Sequence, residues 1–291
     1  MNGQGLGRIS QRRRAAELAG QIVLGGSAFL ALAALAWLLA MIVVRAWPGM
    51  NVGFLLGFSS SDPAKAGILP AILGTLWLGG LSMLLAIPVG VAAAVYLNEF
   101  ARPGRLTSLL RASIANLAGV PSIVFGILGL AIFVQLFGLG PVLLAAGLTL
   151  GLLTLPIVIV VSEEALKAVP NSVREAAFGL GASRWQVVRH HVLPYSMPGM
   201  LTASILALAR TMGETAPLIV MGAAAFIPYT PDSPYDRFTA LPIQAYRWAL
   251  HSNHDFHTLA WGAVLVLIVL VLAGNLSAIL LRDRFQKKYR W

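Results

Sequence analysis

The chain has 291 residues, of which 58% are hydrophobic and 11% charged, with no cysteine and a formal net charge of +10. This balance excludes a soluble domain, and the missing thiols exclude a disulfide framework, a thiolate metal site and a cysteine nucleophile. The positive charge sits at the edges of apolar segments without an aromatic-basic platform, so it reads as the basic loops of a membrane protein and not as nucleic-acid binding.

Residues 1–17 are polar, carry Arg8, Arg12, Arg13 and Arg14, and predict a short cytoplasmic tail. The first apolar segment, about Leu18 to Val44, exceeds the ~7–15 residues of a signal-peptide core and reaches the ~20 that cross a bilayer. A polar, glycine-rich connection follows to residue 66. The second span is about Ile68 to Leu97 with Pro88 inside it, and the third about Ile114 to Phe137, punctuated by Pro121. In the fourth, about Val142 to Val161, Gly147 and Gly151 form a close-packing pair and Pro156 kinks the end. Gly74, Gly79, Gly80 and Gly90 are assigned to packing as well.

Between the fourth and fifth spans, residues 163–194 have helix-forming chemistry and read as an elbow of two short helices. Ser172 with Glu175 predicts a capping box, Val173, Ala176, Ala177 and Leu180 an apolar face, and Gly181 a left-handed helix end. Ser183 with Gln186 predicts a second capping box; Trp185, Val188 and Val192 share a face, and Pro194 stops the helix. Arg174, Arg184, Arg189, His190 and His191 fall on the other faces. The fifth span is about Ser196 to Gly222. Residues 223–258, rich in Pro, Tyr and Trp, predict a loop lying partly in the interface. The sixth span is about Leu259 to Leu281, and residues 282–291 form a basic tail. The body of the protein is therefore 67–281, all helical.

Of the 21 lysines and arginines, four (Arg45, Lys65, Arg237 and Arg247) fall on one side and Arg210 lies within a span. The others collect on the opposite side, which the positive-inside rule makes the cytoplasm, with both termini and the elbow.

Arg210 and Glu214 are the ionisable residues expected in the interior of a span, spaced i, i+4 on one helix face, with Thr211 and Thr215 beside them. A charge at that depth costs at least ~2.5–3.5 kcal/mol, so it faces protein or water. An arginine there offers a fork of donors matched to an oxyanion, and the carboxylate limits how tightly the anion is held. The alternative is a salt bridge that locks one helix to another. Asn116 and Ser122 could line the same path or tie helices together. His251, His254 and His257 have no spacing that supports a metal site.

The elbow resembles the EAA loop by which permease subunits of ABC importers dock on their ATPase, through Glu175-Ala176-Ala177, Gly181 and Leu193-Pro194, with Arg184 on the same corner. His191 departs from it, standing where an apolar residue is usual. Arg210 to Pro217, Asn116 to Gly126 and Glu164 to Pro170 are similar to the A-type permease of phosphate-specific ABC importers. The resemblance implies six membrane helices of the type I importer permease fold with a cytoplasmic coupling loop. It also implies a second homologous permease, an ATPase dimer that uses ATP and Mg, a periplasmic phosphate-binding protein, and a bacterial inner-membrane location.

Residue chemistry alone stops at an anion. The four lysines are never preceded by glycine, so the chain has no phosphate-binding P-loop and is expected to bind no cofactor itself. An importer permease for another oxyanion, such as molybdate or sulfate, is the alternative within the class. A stand-alone secondary transporter would need several buried ion sites, and a membrane enzyme would need a nucleophile-base set the spans lack.

Overall fold

The computed structural model describes residues 3–223 and 227–288, with side chains described for residues 17–223, 227–280 and 282–284. Twelve α-helices occur among the described residues: α1 (Gly3–Ala46), α2 (Val52–Leu56), α3 (Leu69–Val95), α4 (Arg105–Ala118), α5 (Ser122–Gly129), α6 (Leu143–Lys167), α7 (Asn171–Gly179), α8 (Arg184–Val187), α9 (Leu193–Gly213), α10 (Ala216–Val220), α11 (Leu241–Ala249) and α12 (Asp255–Lys288). By length and composition five are able to cross a membrane, and a sixth crossing is available if 105–118 and 122–136 count as one span bent by 101°.

The bend corrects the expected third span, whose first residues belong to α4. Pro121 cannot donate to the helix ladder and disfavours helical backbone at Val120, so the chain turns between α4 and α5. The helix α1 runs on into the stretch read as a polar tail, the side chains of residues 1–16 lying outside the description. Only its end is tucked in, at Ile42 and Ala46; most of its apolar surface is exposed.

The centre is α3 against α6, brought close by glycine. A Cβ on Gly147 would stand 2.6 Å from Leu81 Cβ, one on Gly151 2.8 Å from Leu85 Cδ2, and one on Gly90 2.7 Å from Val158 Cγ1. Gly74 lies against the Thr239 carbonyl. Gly80 meets nothing within 4 Å among the described residues, so it makes no close contact within this chain. Gly147→Ala should therefore lower the melting temperature of the detergent-solubilised protein, since overpacking costs ~1–3 kcal/mol, while Gly80→Ala leaves it unchanged. Equal melting temperatures for the two would remove glycine contact as the basis of the α3–α6 seam.

The segment expected in the interface instead folds into the bundle. Phe238, Ala240, Leu241 and Ile243 are almost fully buried. Thr75 Oγ1 accepts the Leu241 amide at 2.9 Å, and Trp77 Nε1 donates to the Pro231 carbonyl at 3.1 Å. The Asp236 and Pro234 carbonyls accept the first free amides of α6, from Leu143 and Leu144, at 3.0 and 2.8 Å. Phe238, Ala240 and Ile243 join one apolar cluster with Leu78 of α3 and Leu143 and Leu150 of α6, where their burial gains more than at a membrane surface.

Candidate functional site

The end of α9 carries the charged pair. Pro217 has no N–H for the carbonyl of Gly213 one turn before it, and its ring would crowd that carbonyl. The helix accordingly ends at Gly213, Glu214 is extended (φ −71, ψ 128), and α10 starts at Ala216. The expected unbroken span to residue 222 is thus two helices, and Arg210 and Glu214 face each other across a helix end. Arg210 Nε donates to Glu214 Oε1 at 3.3 Å, with the side chains 38% and 15% exposed. Neither Arg210 Nη makes a hydrogen bond to the described residues, so two terminal nitrogens, with four N–H groups, remain for an anion.

Thr211 is buried and its hydroxyl donates to the Ala207 carbonyl at 2.9 Å, which makes it part of the helix. Thr215 is half-buried at the break. The facing element is α5: Gly126 lies so close to α10 that a Cβ would stand 2.6 Å from Pro217 Cα. Ser122 begins α5 and is half-buried, whereas Asn116 is exposed in the last turn of α4, on the other side of the bend. Neither side chain hydrogen-bonds to the described residues.

A cavity of about 630 Å³ adjoins the break, lined by Gly213, Thr215, Tyr246, His257, Trp261 and Arg45 among others. The Arg45 guanidinium stands 5.3 Å over the Trp261 ring. Arg247, counted from sequence only as a loop charge, donates to the Ala223 carbonyl at 2.8 Å and pins the end of the α10 segment. His257 Nε2 lies 3.0 Å from the His251 carbonyl, beside the start of α12. Among the described residues no group of three metal-ligating side chains occurs.

At the other end of α9 lies the elbow. Gly181 has the expected left-handed backbone (φ 82), and Ser183 and Gln186 form the expected capping box. The first capping box is absent. Pro170 breaks the chain after α6 and helix resumes directly at Asn171, so Ser172 falls inside the first turn and makes no cap. Nor does Pro194 stop the helix. A π-helical stretch, Val188–Val192, precedes it and the chain continues helically from Arg184 to Gly213; widening the ladder accommodates the missing amide.

The predicted apolar face is only partly turned inward: Ala177 is buried and Val173 half-buried, while Ala176 and Leu180 are exposed. Glu175 and Arg184 are exposed; Leu193 and Pro194 are half-buried. Leu180 is 91% exposed, Trp185 55% and Phe178 47%. Val187, Val188 and Val192 anchor the corner in the core.

A buried charge cluster was missed. Glu163, 6% exposed within α6, accepts from Arg111 Nε at 2.9 Å and lies 3.6 Å from Lys167 Nζ. Arg210 and Glu214 are therefore not alone within the spans. The sequence signal was the i, i+4 spacing of Glu163 and Lys167, which the expected span end at Val161 left outside.

Residues 86–291 match the family described as binding-protein-dependent transport system inner membrane component. The chain is 34% identical over 261 residues to the phosphate transport system permease protein PstA 1 of Mycobacterium tuberculosis (strain CDC 1551 / Oshkosh), covering 87% of this chain and 84% of that protein. It is 32% identical over 250 residues to PstA of Haemophilus influenzae (strain ATCC 51907 / DSM 11121 / KW20 / Rd), covering 83% and 85%. Among solved structures, a bacterial alginate ABC transporter chain aligns with a TM-score of 0.63 at 17% identity over 92% of this chain and 94% of that one. A chain of the inward-facing MetNI methionine ABC transporter aligns with 0.56 at 21% over 75% and 94%. The backbone is that of type I ABC importer permeases, and the chain belongs to the binding-protein-dependent transport system inner membrane component family.

Proposed function

We propose that this permease carries inorganic phosphate inward across the bacterial inner membrane, driven by a separate ATPase. The carrying observation is Arg210 at the broken end of α9, with Nε on Glu214 and two terminal nitrogens that bond to none of the described residues. The names of the relatives supply the identity of the anion. Glu214 opposes the attraction, so the anion is held and released. Thr215 stands at the same break, and Ser122 begins the helix packed across from it; Asn116 contributes from the far side of the bend.

Both termini and the elbow face the cytoplasm, as the placement of Lys and Arg supports. There Glu175, Ala176, Gly181 and Arg184 meet an ATPase dimer that binds ATP and Mg, while Ala177, Leu193 and Pro194 seat the corner. ATP-driven closure rocks the spans and opens the path to each side in turn. A second homologous permease completes the path, and a periplasmic phosphate-binding protein delivers the substrate.

The test is reconstitution of the chain with its second permease, ATPase and binding protein in vesicles. Phosphate uptake should require ATP, ATPase and binding protein together. Uptake of molybdate or sulfate in place of phosphate would transfer the reading to another oxyanion. Gradient-driven uptake by this chain alone would replace it with a secondary transporter.

A further inference from the structure

Sequence places Arg174 among the elbow residues offered to the cytoplasm, yet the structure turns it inward. Its Nη1 donates to the Val169 carbonyl at 2.6 Å and its Nη2 to the Leu166 carbonyl at 2.9 Å. The guanidinium thus closes the end of α6, where helix carbonyls lack partners and the dipole favours a cation. The same Nη2 donates to Glu99 Oε1 at 2.8 Å, and the two side chains are only 16% and 10% exposed. Asn98 Nδ2 donates to that carboxylate oxygen at 2.8 Å.

Glu99 lies in the π-helical stretch Tyr96–Phe100 that ends the α3 span. Two residues before it, the Leu97 carbonyl accepts from Arg111 Nη2 at 2.6 Å, and Arg111 Nε holds Glu163. The end of α3 is thereby gripped from α4 and from α7. By chain connection α7 reaches only α6 on one side and, through α8, α9 on the other. No covalent route joins it directly to α3.

We propose that Arg174 and Glu99 form a strut that carries displacement of α7 into α3, so that three spans, not two, answer to the elbow. The proposal rests on the reading of the elbow as the ATPase contact. Pulling the pair apart would strand an uncompensated charge in a largely buried site, so the two residues move as one body. Beyond the strut, the glycine contacts of α3 with α6 at Gly147 and Gly151 extend the shift along the bundle. Arg174 and Glu99 are positioning residues and touch no substrate.

The test uses the complete complex in vesicles, reading phosphate taken up per ATP hydrolysed and the amount of ATPase retained. Glu99→Gln should keep the ATPase bound and lower the transport ratio about fivefold or more, the size of a typical coupling between sites. A structural role alone would lower ATPase retention and the ratio together. Because the chain has no cysteine, Glu99→Cys with Arg174→Cys can be joined selectively within it by a short bifunctional maleimide. Joining should restore the ratio lost in the unjoined pair.

A wild-type ratio in Glu99→Gln, loss of the ATPase from it, or a joined pair that stays uncoupled would each overturn the strut. The docking reading fails separately: it falls if Leu180→Asp, on the exposed side of the elbow, still holds the ATPase.

Discussion

Replacement of Arg210 by alanine is expected to reduce phosphate uptake in vesicles at least a hundredfold while the complex assembles in normal amount. The side chain projects from the last turn of α9, whose packing is made by other residues: Ala203, Ala207, Thr211 and Met212 are buried and Arg210 is not. What alanine removes is a guanidinium with Nε on Glu214 and two terminal nitrogens that bond to none of the described residues. Charge-assisted hydrogen bonds are worth ~1.5–3 kcal/mol each, and two to one oxyanion reach that loss of rate. The change also leaves Glu214, 15% exposed, without its counter-charge on the proposed path of the anion. Arg210→Lys keeps the charge and loses the fork, so it should recover only part of the uptake. Glu214→Gln should act the other way, lowering the phosphate concentration for half-maximal uptake and slowing the maximal rate, because the release term is gone. If the pair were merely a lock between helices, Arg210→Ala would show less assembled complex and near-normal uptake per complex. That outcome would end the pathway reading.

The spans were legible because a bilayer demands long apolar runs, and Pro156 did not end one of them: α6 passes through it to Lys167. What the sequence hid was set by tertiary contact. The bend after Ala118 was visible as Pro121 but not as a change of direction, since only the docking of α5 on α10 decides where the chain goes. Phe238 to Ile243 looked interfacial because their partners, Thr75 and Gly74, lie far away along the chain. Arg174 looked like surface because the carboxylate that takes it in, Glu99, belongs to another span. At the charged pair the local setting differed from expectation: i, i+4 spacing implied an intact helix, while Pro217 ends the helix between them. The elbow was legible at Gly181 and at the Ser183–Gln186 box, where local chemistry decides. It was misread at Ser172 and Pro194, where a preceding proline and a π-helical stretch override the local signal.

Leu180→Asp is expected to release the ATPase from the complex, measured as loss of its co-purification in detergent. From sequence Leu180 belonged with Val173, Ala176 and Ala177 on one apolar face. In the fold it is 91% exposed, at the tip of the turn that Gly181 makes with its left-handed backbone. Phe178 and Trp185 flank it, also exposed, and Trp185 lies beside Phe100 with ring centroids 6.4 Å apart. A large apolar side chain held out on a rigid corner is unfavourable in water and belongs against a partner. Burying a leucine is worth ~1.5–3 kcal/mol. An aspartate in its place would add the cost of desolvating an unpaired charge, and together these weaken association by at least ~100-fold. Arg184→Glu, at the start of α8 on the same corner, should act more mildly, since an exposed charge steers association more than it holds it. With Arg184→Glu the ATPase should associate more slowly at low salt and the difference from the unmodified complex should shrink as salt rises, whereas Leu180→Asp should lose it at every ionic strength. Retention of the ATPase by Leu180→Asp at wild-type level would move the motor contact away from this corner. Retention of the salt response of the unmodified complex by Arg184→Glu would remove that arginine from it.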